Sequence, residues 1–474
     1  MRWSTLCVCG PAQAFTAEAL QKASGQPSNT GSFSGSRAGR RARCCPREVA
    51  SSSDGRKLAQ SSLVFQQLLD LGRTPGEDEV SEIISVGIDA WRKNPRHATS
   101  VIGSLARNQL PLTATYVLTA MRAERMKTDV FHYNAAISAC EKGRQWQLAL
   151  VLLSSMPDIR VIPDEISYNA AISACEKGGQ WQLALGLLSS MPDMRATPDE
   201  ISYNAAISAC EKGGQWQLAL GLLSSMPDMR LIPNEISYSA AMSACEKGGK
   251  WQLALGLLSS MPDARLIPNK ISYSAAMSAC EKGGQWQLAL GLLSCMPDMR
   301  AIPDEINFNA AISACEKGGQ WQLALVLLSR MPDKRAIPNK ISYNAAISAC
   351  EKGGQWQLAL GLLSSMPDMR VIPNEISYSA AISACEKSGQ WQLALSLLSS
   401  MPDMRVIPNE ISYSAAISAC EKSGQWQVAL DLLSSMLMMK VVPNEISYNA
   451  AIGACARRTS LAASTGSAWM DDPT

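Results

Sequence analysis

The sequence predicts an all-α solenoid built from 35-residue helix-turn-helix repeats. Three observations carry that reading. Ten cysteines recur at one step of 35: Cys140, Cys175, Cys210, Cys245, Cys280, Cys315, Cys350, Cys385, Cys420 and Cys455. Tryptophan shows the same step from Trp146 through Trp181, Trp216, Trp251, Trp286, Trp321, Trp356 and Trp391 to Trp426. Every copy holds two apolar faces at helical spacing, with no strand-like alternation. A fixed period of this size signals stacked repeats, although 474 residues alone would suggest several globular domains. A composition 47% hydrophobic and 18% charged supplies a core and excludes wholesale disorder.

The copy Glu165–Asp199 reads EISYNAAISACEKGGQWQLALGLLSSMPDMRATPD. Tyr168, Ala171, Ile172 and Cys175 fall at i, i+3, i+4 and i+7, the buried face of a first helix. Ser167 is its expected N-cap. Gly178 and Gly179 end it, because glycine tolerates the left-handed C-cap and a tight turn. Trp181, Ala184, Leu185 and Leu188 form the face of a second helix, widened by Leu183, Leu187 and Met191, and the tryptophan is expected in the core. Pro192 closes that helix, since proline cannot extend the hydrogen-bond ladder. Pro198 shapes the connector. One hairpin cannot bury both faces, so neighbours must stack, and Ala170, Ala171 and Ala174 let first helices approach closely.

Nine such copies occupy 130–444 and a partial copy 445–456, with a tail at 457–474 expected to fray. Residues 95–129 form a degenerate copy in the same frame, with Ala98 at the tyrosine position, and 58–94 a helical N-terminal cap. Residues 1–57 differ: seven Arg and two Lys stand against three acidic residues, amid many Ser, Gly and Ala. An Arg- and Ser-rich, acid-poor leader without a core reads as a disordered transit peptide for an organelle, the chloroplast before the mitochondrion. No clean apolar run follows the first Arg, which disfavours a secretory signal.

Several function classes are excluded. No apolar run reaches the roughly 20 residues of a membrane helix. His97 and His132 are the only histidines and lack acid or cysteine partners suited to zinc or general acid–base catalysis. The fifteen cysteines contain no Cys-x-x-Cys, and one thiol per copy reads as a small buried hydrophobe. A metal-binding thiol column fails because adjacent copies should lie ~10 Å apart. The Gly-Gly pairs are helix turns, not phosphate loops. No cofactor is implied.

The copies resemble the pentatricopeptide repeat, the 35-residue hairpin of organellar RNA-binding proteins. The resemblance rests on the repeat length, Tyr168-Asn169, Ala184-Leu185, Leu187, Met191 and the terminal Pro198-Asp199 or Pro233-Asn234. Met191-Pro192-Asp193 departs from the family's usual charged continuation and shortens the second helix. The resemblance implies a right-handed superhelical solenoid whose first helices line the concave side. It also implies sequence-selective binding of single-stranded RNA, one base per repeat, in support of RNA processing, stability or translation. The residue after the tyrosine and the last residue of the repeat would read one base together.

Carried onto this sequence, the pairs are divergent Thr99–Asp129, then Asn134–Asp164, Asn169–Asp199, Asn204–Asn234, Ser239–Asn269, Ser274–Asp304, Asn309–Asn339, Asn344–Asn374, Ser379–Asn409 and Ser414–Asn444. Asn449 has no partner in a complete copy. Wedges between bases would be Ile166, Ile201, Ile236, Ile271, Ile306, Ile341, Ile376 and Ile411. The family's code then reads 5′-GUUCAGCCAA-3′, and Ser274→Asn would move the sixth base from G toward U.

The charge balance opposes a simple RNA reading. Apart from the leader the chain is slightly acidic, whereas phosphate binding wants a Lys or Arg surplus. Lys142, Lys177, Lys212 and their equivalents recur at the ends of first helices and either line a phosphate stripe or are solvated charges favouring the helix dipole. Modest, salt-sensitive affinity is expected. A second reading stays open: a helical scaffold gripping a peptide or partner protein, with no RNA specificity. An autonomous enzyme is not expected. Some family members carry a deaminase-like tail needing His-x-Glu and Cys-x-x-Cys, or a metallonuclease domain, and neither pattern occurs here. A recruited protein effector is a further expected partner.

Overall fold

The computed structural model describes residues 63–297 and 301–466, with the backbone alone from 458 onward. The basic leader, 1–57, lies outside the described residues. Helices and turns account for what is described, and no strand occurs among those residues. Residues 63–70 are helical, followed by Glu77–Lys93 and then the pair Pro95–Arg107 and Pro111–Ala123. From Val130–Lys142 onward each repeat is a hairpin with a 13-residue first helix, as in Glu165–Lys177, and usually a 10-residue second helix, as in Trp181–Ser190. First helices pack on the first helices of the repeats before and after, forming one continuous row. Each second helix packs on its own first helix and on the first helix of the next repeat. The first helices therefore form one continuous layer, and the second helices a second layer packed against it.

The alanines explain the close row. Ala171 and Ala174 are fully buried and Ala170 nearly so, as are their equivalents in the other repeats except Ala135, which is partly exposed. Tyr168, Ile172 and Cys175 fill the space between the layers together with Ala184, Leu188 and Met191. Leu183, expected on the buried face, is exposed, because a second helix has neighbours on one side only.

The helix starts differ from expectation. The N-cap is Asp164, not Ser167. The Asp164 carboxylate accepts from Ser167 N at 2.9 Å, and Asp164 N donates back to Ser167 Oγ at 3.2 Å. This reciprocal capping box recurs in most repeats, with Asn in place of Asp where the sequence changes, as at Asn234.

Most turns hold two glycines with separate tasks, while Arg144, Ser388 and Ser423 replace one of the pair in three repeats. Gly179 takes φ +72° and closes a Schellman turn, with Gln180 N donating to Cys175 O at 2.9 Å and Gly179 N to Glu176 O at 3.1 Å. Gly178 has ordinary φ but lies under Trp146 of the preceding repeat: a Cβ there would come 2.3 Å from Trp146 Cδ1. The tryptophans are thus half-buried wedges at the joint between repeats, not deep core.

Two natural exceptions test the stop signals. Second helices end before Met-Pro-Asp, and the chain then turns through Arg195 at φ +63°. Where Leu437 stands in place of the proline, the helix Trp426–Met438 is 13 residues long. The last helix, Glu445–Gly466, runs on past 456 because Arg458 and Thr459 stand where other repeats have their Gly-Gly or Ser-Gly stop.

Candidate RNA interface

The structure brings most of the sequence-predicted pairs together at the N-terminal ends of the first helices. Asn134 Nδ2 donates to the Asp164 carboxylate at 3.0 and 3.3 Å, and Asn169 Nδ2 to Asp199 at 3.1 and 3.2 Å. Asn204 reaches Asn234 at 3.3 Å, Asn309 reaches Asn339 at 3.4 Å and Asn344 reaches Asn374 at 3.1 Å. Ser379 donates to Asn409 at 3.3 Å, and Ser414 Oγ lies 3.3 Å from the Asn444 oxygen while giving its proton to Glu410 O at 2.6 Å.

Three pairs are not joined. Asn269 donates instead to Glu235 at 2.9 Å, leaving Ser239 against Ser272. Ser274 donates to Lys270 O at 2.8 Å rather than meeting Asp304. Asp129 is occupied by His132, which stands where all but one of the other repeats have serine, and Thr99 does not reach it.

The last residue of each pair is therefore both a helix cap and a member of the candidate site. A third member escaped the sequence reading. Ser167 Oγ donates to Asn134 Oδ1, and Ser202 does the same to Asn169. Both serines are fully buried. The clue in the sequence was a serine three places after most terminal Asp or Asn residues, which marks the far half of a capping box rather than a cap.

Beside each pair an isoleucine stands in the open. Ile166, Ile201, Ile236, Ile271, Ile306, Ile341, Ile376 and Ile411 are all more than half exposed. Large apolar side chains left in water at one place in every repeat mark a contact surface. A second exposed row at Ile232, Ile267, Ile302, Ile337, Ile372 and Ile407 lies in the connectors and shares the same period.

The lysines do not form an unpaired basic stripe. Lys177 pairs with Glu141 of the preceding repeat at 2.6 Å, and Lys212 pairs with Glu176 at 2.7 Å. The ladder continues through Lys422–Glu386 at 2.8 Å and ends with Arg457–Glu421 at 3.3 Å. Half-exposed pairs of this kind add little stability each, but they cancel the field a phosphate would feel. The thiol column is inert: burial pushes Cys175 and the eight other buried repeat thiols up to about 11. Among the described residues, no cluster of His, Cys, Asp or Glu is placed to hold a metal, and no helix is long and apolar enough to cross a membrane.

Family models coincide with the repeats. Models described as PPR repeat family match 163–211, 198–247, 338–387 and 373–422. A pentatricopeptide repeat domain model matches 116–180 and 301–353, and a PPR repeat model matches 236–266, 271–300 and 411–441. Together these cover well over half of the chain. Among solved structures the chain is similar to a cysteine-to-serine variant of pentatricopeptide repeat protein PPR10 in complex with an 18-nucleotide psaJ RNA element. The TM-score is 0.71 at 19% identity, over 85% of this chain and 59% of that one. It is also similar to PPR10 from maize, with a TM-score of 0.50 at 18% identity over 86% of this chain and 70% of that one. The chain thus spans about three fifths of the first of these structures. No curated protein matches it in sequence.

Proposed function

The chain belongs to the pentatricopeptide repeat family, and on that premise we propose that it binds single-stranded RNA selectively, one base per repeat. The observation that carries this is the periodic pairing of two short polar side chains beside an exposed isoleucine, at the same helix end in successive repeats. Such groups suit the Watson–Crick edge of an unstacked base.

Hydrogen-bond accounting gives the choice of base a physical form. At Asn169–Asp199 the amide spends one N–H on Asp199 and one lone pair on Ser202. One N–H and one lone pair remain, and the Asp199 carboxylate has lone pairs to spare. An acceptor at the last position suits a base with a ring N–H, uracil or guanine. At Asn204–Asn234 the Asn234 oxygen is used by Ile236 N, Ser237 N and Asn204, so its amine is what remains. A donor there suits a base with an unprotonated ring nitrogen, cytosine or adenine. The longer Asn at the first position reaches a small pyrimidine, and Ser leaves room for a purine. These rules return UUCAGCCAA for the nine pairs from Asn134–Asp164 to Ser414–Asn444, and the leading G at Thr99–Asp129 rests on the family's code alone.

The test is Asn234→Asp, which recreates the side-chain set Asn169–Asp199–Ser202 in the next repeat. Binding of the decamer should shift from C toward U at the fourth base, by about tenfold, with the other positions unchanged. Wild-type and variant protein are compared at one salt concentration. Equal affinity for C and U in both proteins rejects the code and promotes the scaffold reading, which the neutralised lysine ladder favours.

The leader, 1–57, directs import into an organelle in this reading, the chloroplast before the mitochondrion. There the RNA-bound array would support processing, stability or translation, with a recruited protein effector as partner. Residues 1–57 fused to a fluorescent reporter should localise to an organelle; a diffuse cytosolic signal counts against it.

A further inference from the structure

We propose that Asn307 is a third specificity-determining residue of the sixth site, acting by fixing what the Ser274 hydroxyl can offer. This rests on the RNA reading above and deepens it. Five repeats place a serine at the equivalent position and an asparagine before it. In all five the serine donates to the asparagine oxygen: Ser167 to Asn134, Ser202 to Asn169, Ser237 to Asn204, Ser342 to Asn309 and Ser377 to Asn344. The serine thereby orients the amide, oxygen inward and nitrogen toward the terminal Asp or Asn.

The sixth site breaks this pattern at two positions together. Ser274 replaces the asparagine, and Asn307 replaces the serine. Asn307 is fully buried. Its Oδ1 accepts from Asp304 N at 3.1 Å, and its Nδ2 donates to Ser274 Oγ at 2.9 Å while lying 3.9 Å from Met277 Sδ. Ser274 Oγ in turn donates its only proton to Lys270 O at 2.8 Å. With its proton spent and one lone pair taken by Asn307, the hydroxyl can only accept. Asp304, also an acceptor, has Oδ1 on Ile306 N and Asn307 N, while Lys270 Nζ stands 3.7 Å from Oδ2.

Two acceptors side by side match the base that presents two adjacent donors, guanine through N1–H and its exocyclic amine. The other Ser sites differ. Ser379 donates toward Asn409 and Ser239 meets another hydroxyl. Ser414 also gives its proton to the carbonyl four residues back, Glu410 O at 2.6 Å, but its buried neighbour is Ser447, a hydroxyl that can give or take, and its terminal residue is Asn444, whereas the Asn307 amine can only give and the terminal residue is Asp304. A second consequence is steric. Ser274→Asn alone would place two carboxamides in a space that elsewhere holds one carboxamide and one hydroxymethyl group. The single change should therefore not install the Asn–Asp preference, whereas the double change with Asn307→Ser should.

Wild type, Asn307→Ser, Ser274→Asn and the double variant are each measured against decamers carrying G, A, U or C at the sixth base. Asn234→Asp, read at the fourth base, serves as an independent control. Wild type should favour G. Asn307→Ser frees the hydroxyl from its fixed role as acceptor, so the variant should lose most of its preference for G over U, about tenfold, while Asp304 keeps both ahead of A and C. Ser274→Asn should bind all four more weakly without favouring U, and the double variant should favour U. Thermal melting separates this from misfolding, since the double variant restores a side-chain set already present at Asn169, Asp199 and Ser202. Wild-type preference in Asn307→Ser, or a switch by Ser274→Asn as complete as by the double variant, overturns the proposal while the fourth-base control still shifts. If the fourth base does not shift either, the base-reading premise fails and this proposal falls with it.

Discussion

Trp251→Ala is expected to lower the stability of the array by about 3 kcal/mol, the lower end of the range for truncating a large aromatic, because the ring is only partly buried. The ring opens its own second helix and wedges against Gly283 at the end of the next first helix, where a Cβ would come 2.3 Å from Trp251 Cδ1. Its loss leaves a gap at the joint between two repeats. In a solenoid that joint carries the coupling on which each hairpin depends, so unfolding should become less cooperative as well as easier. Denaturant melting and hydrogen exchange over 235–304 read both effects. The site of base contact should be spared: Gly283 lies nine residues beyond Ser274 on one helix, about 14 Å along its axis. Unchanged melting with collapsed RNA affinity would instead make the ring a stacking platform.

The repeat, the hairpin and the order of helices were legible because each has a short-range cause. Helical spacing placed Tyr168, Ile172 and Cys175 inside, and Gly-Gly and Met-Pro ended helices where expected. The readings that failed depend on relations between copies. Lys177 looked like an unpaired cation because its partner, Glu141, lies 36 residues back and meets it only through the stacking geometry. Trp181 looked like core because its own helix is apolar, yet it is spent on the next repeat's Gly213. Ser167 looked like a cap because it precedes the tyrosine. The helix begins one turn earlier, and the true cap is the residue that also closes the candidate base-reading pair. The pairing of Asn169 with Asp199 across 30 residues came from the family resemblance and not from any local pattern.

That double use of one side chain governs the second large effect. Asp199 caps the helix Glu200–Lys212, accepting from Ser202 N at 2.8 Å, and it holds the Asn169 amide. Asp199→Ala removes both roles. It should cost about 1 kcal/mol of stability through the lost cap. It should also weaken binding to U at the third base by about tenfold or more, because the Asn169 amide loses its orienting partner along with the base-facing carboxylate. Asp199→Asn is the discriminating companion. Asparagine caps as well as aspartate, as Asn234 and Asn374 do in this chain, so melting should be close to wild type. Its amine, however, now faces the base, and preference at the third position should move from U toward C. Denaturant melting and decamer binding at fixed salt separate the two roles. If the Asn variant is destabilised as much as the Ala variant, capping is not what the carboxylate contributes. If both variants bind the U decamer as wild type does, Asp199 reads no base, and its place in every repeat is explained by the helix start alone.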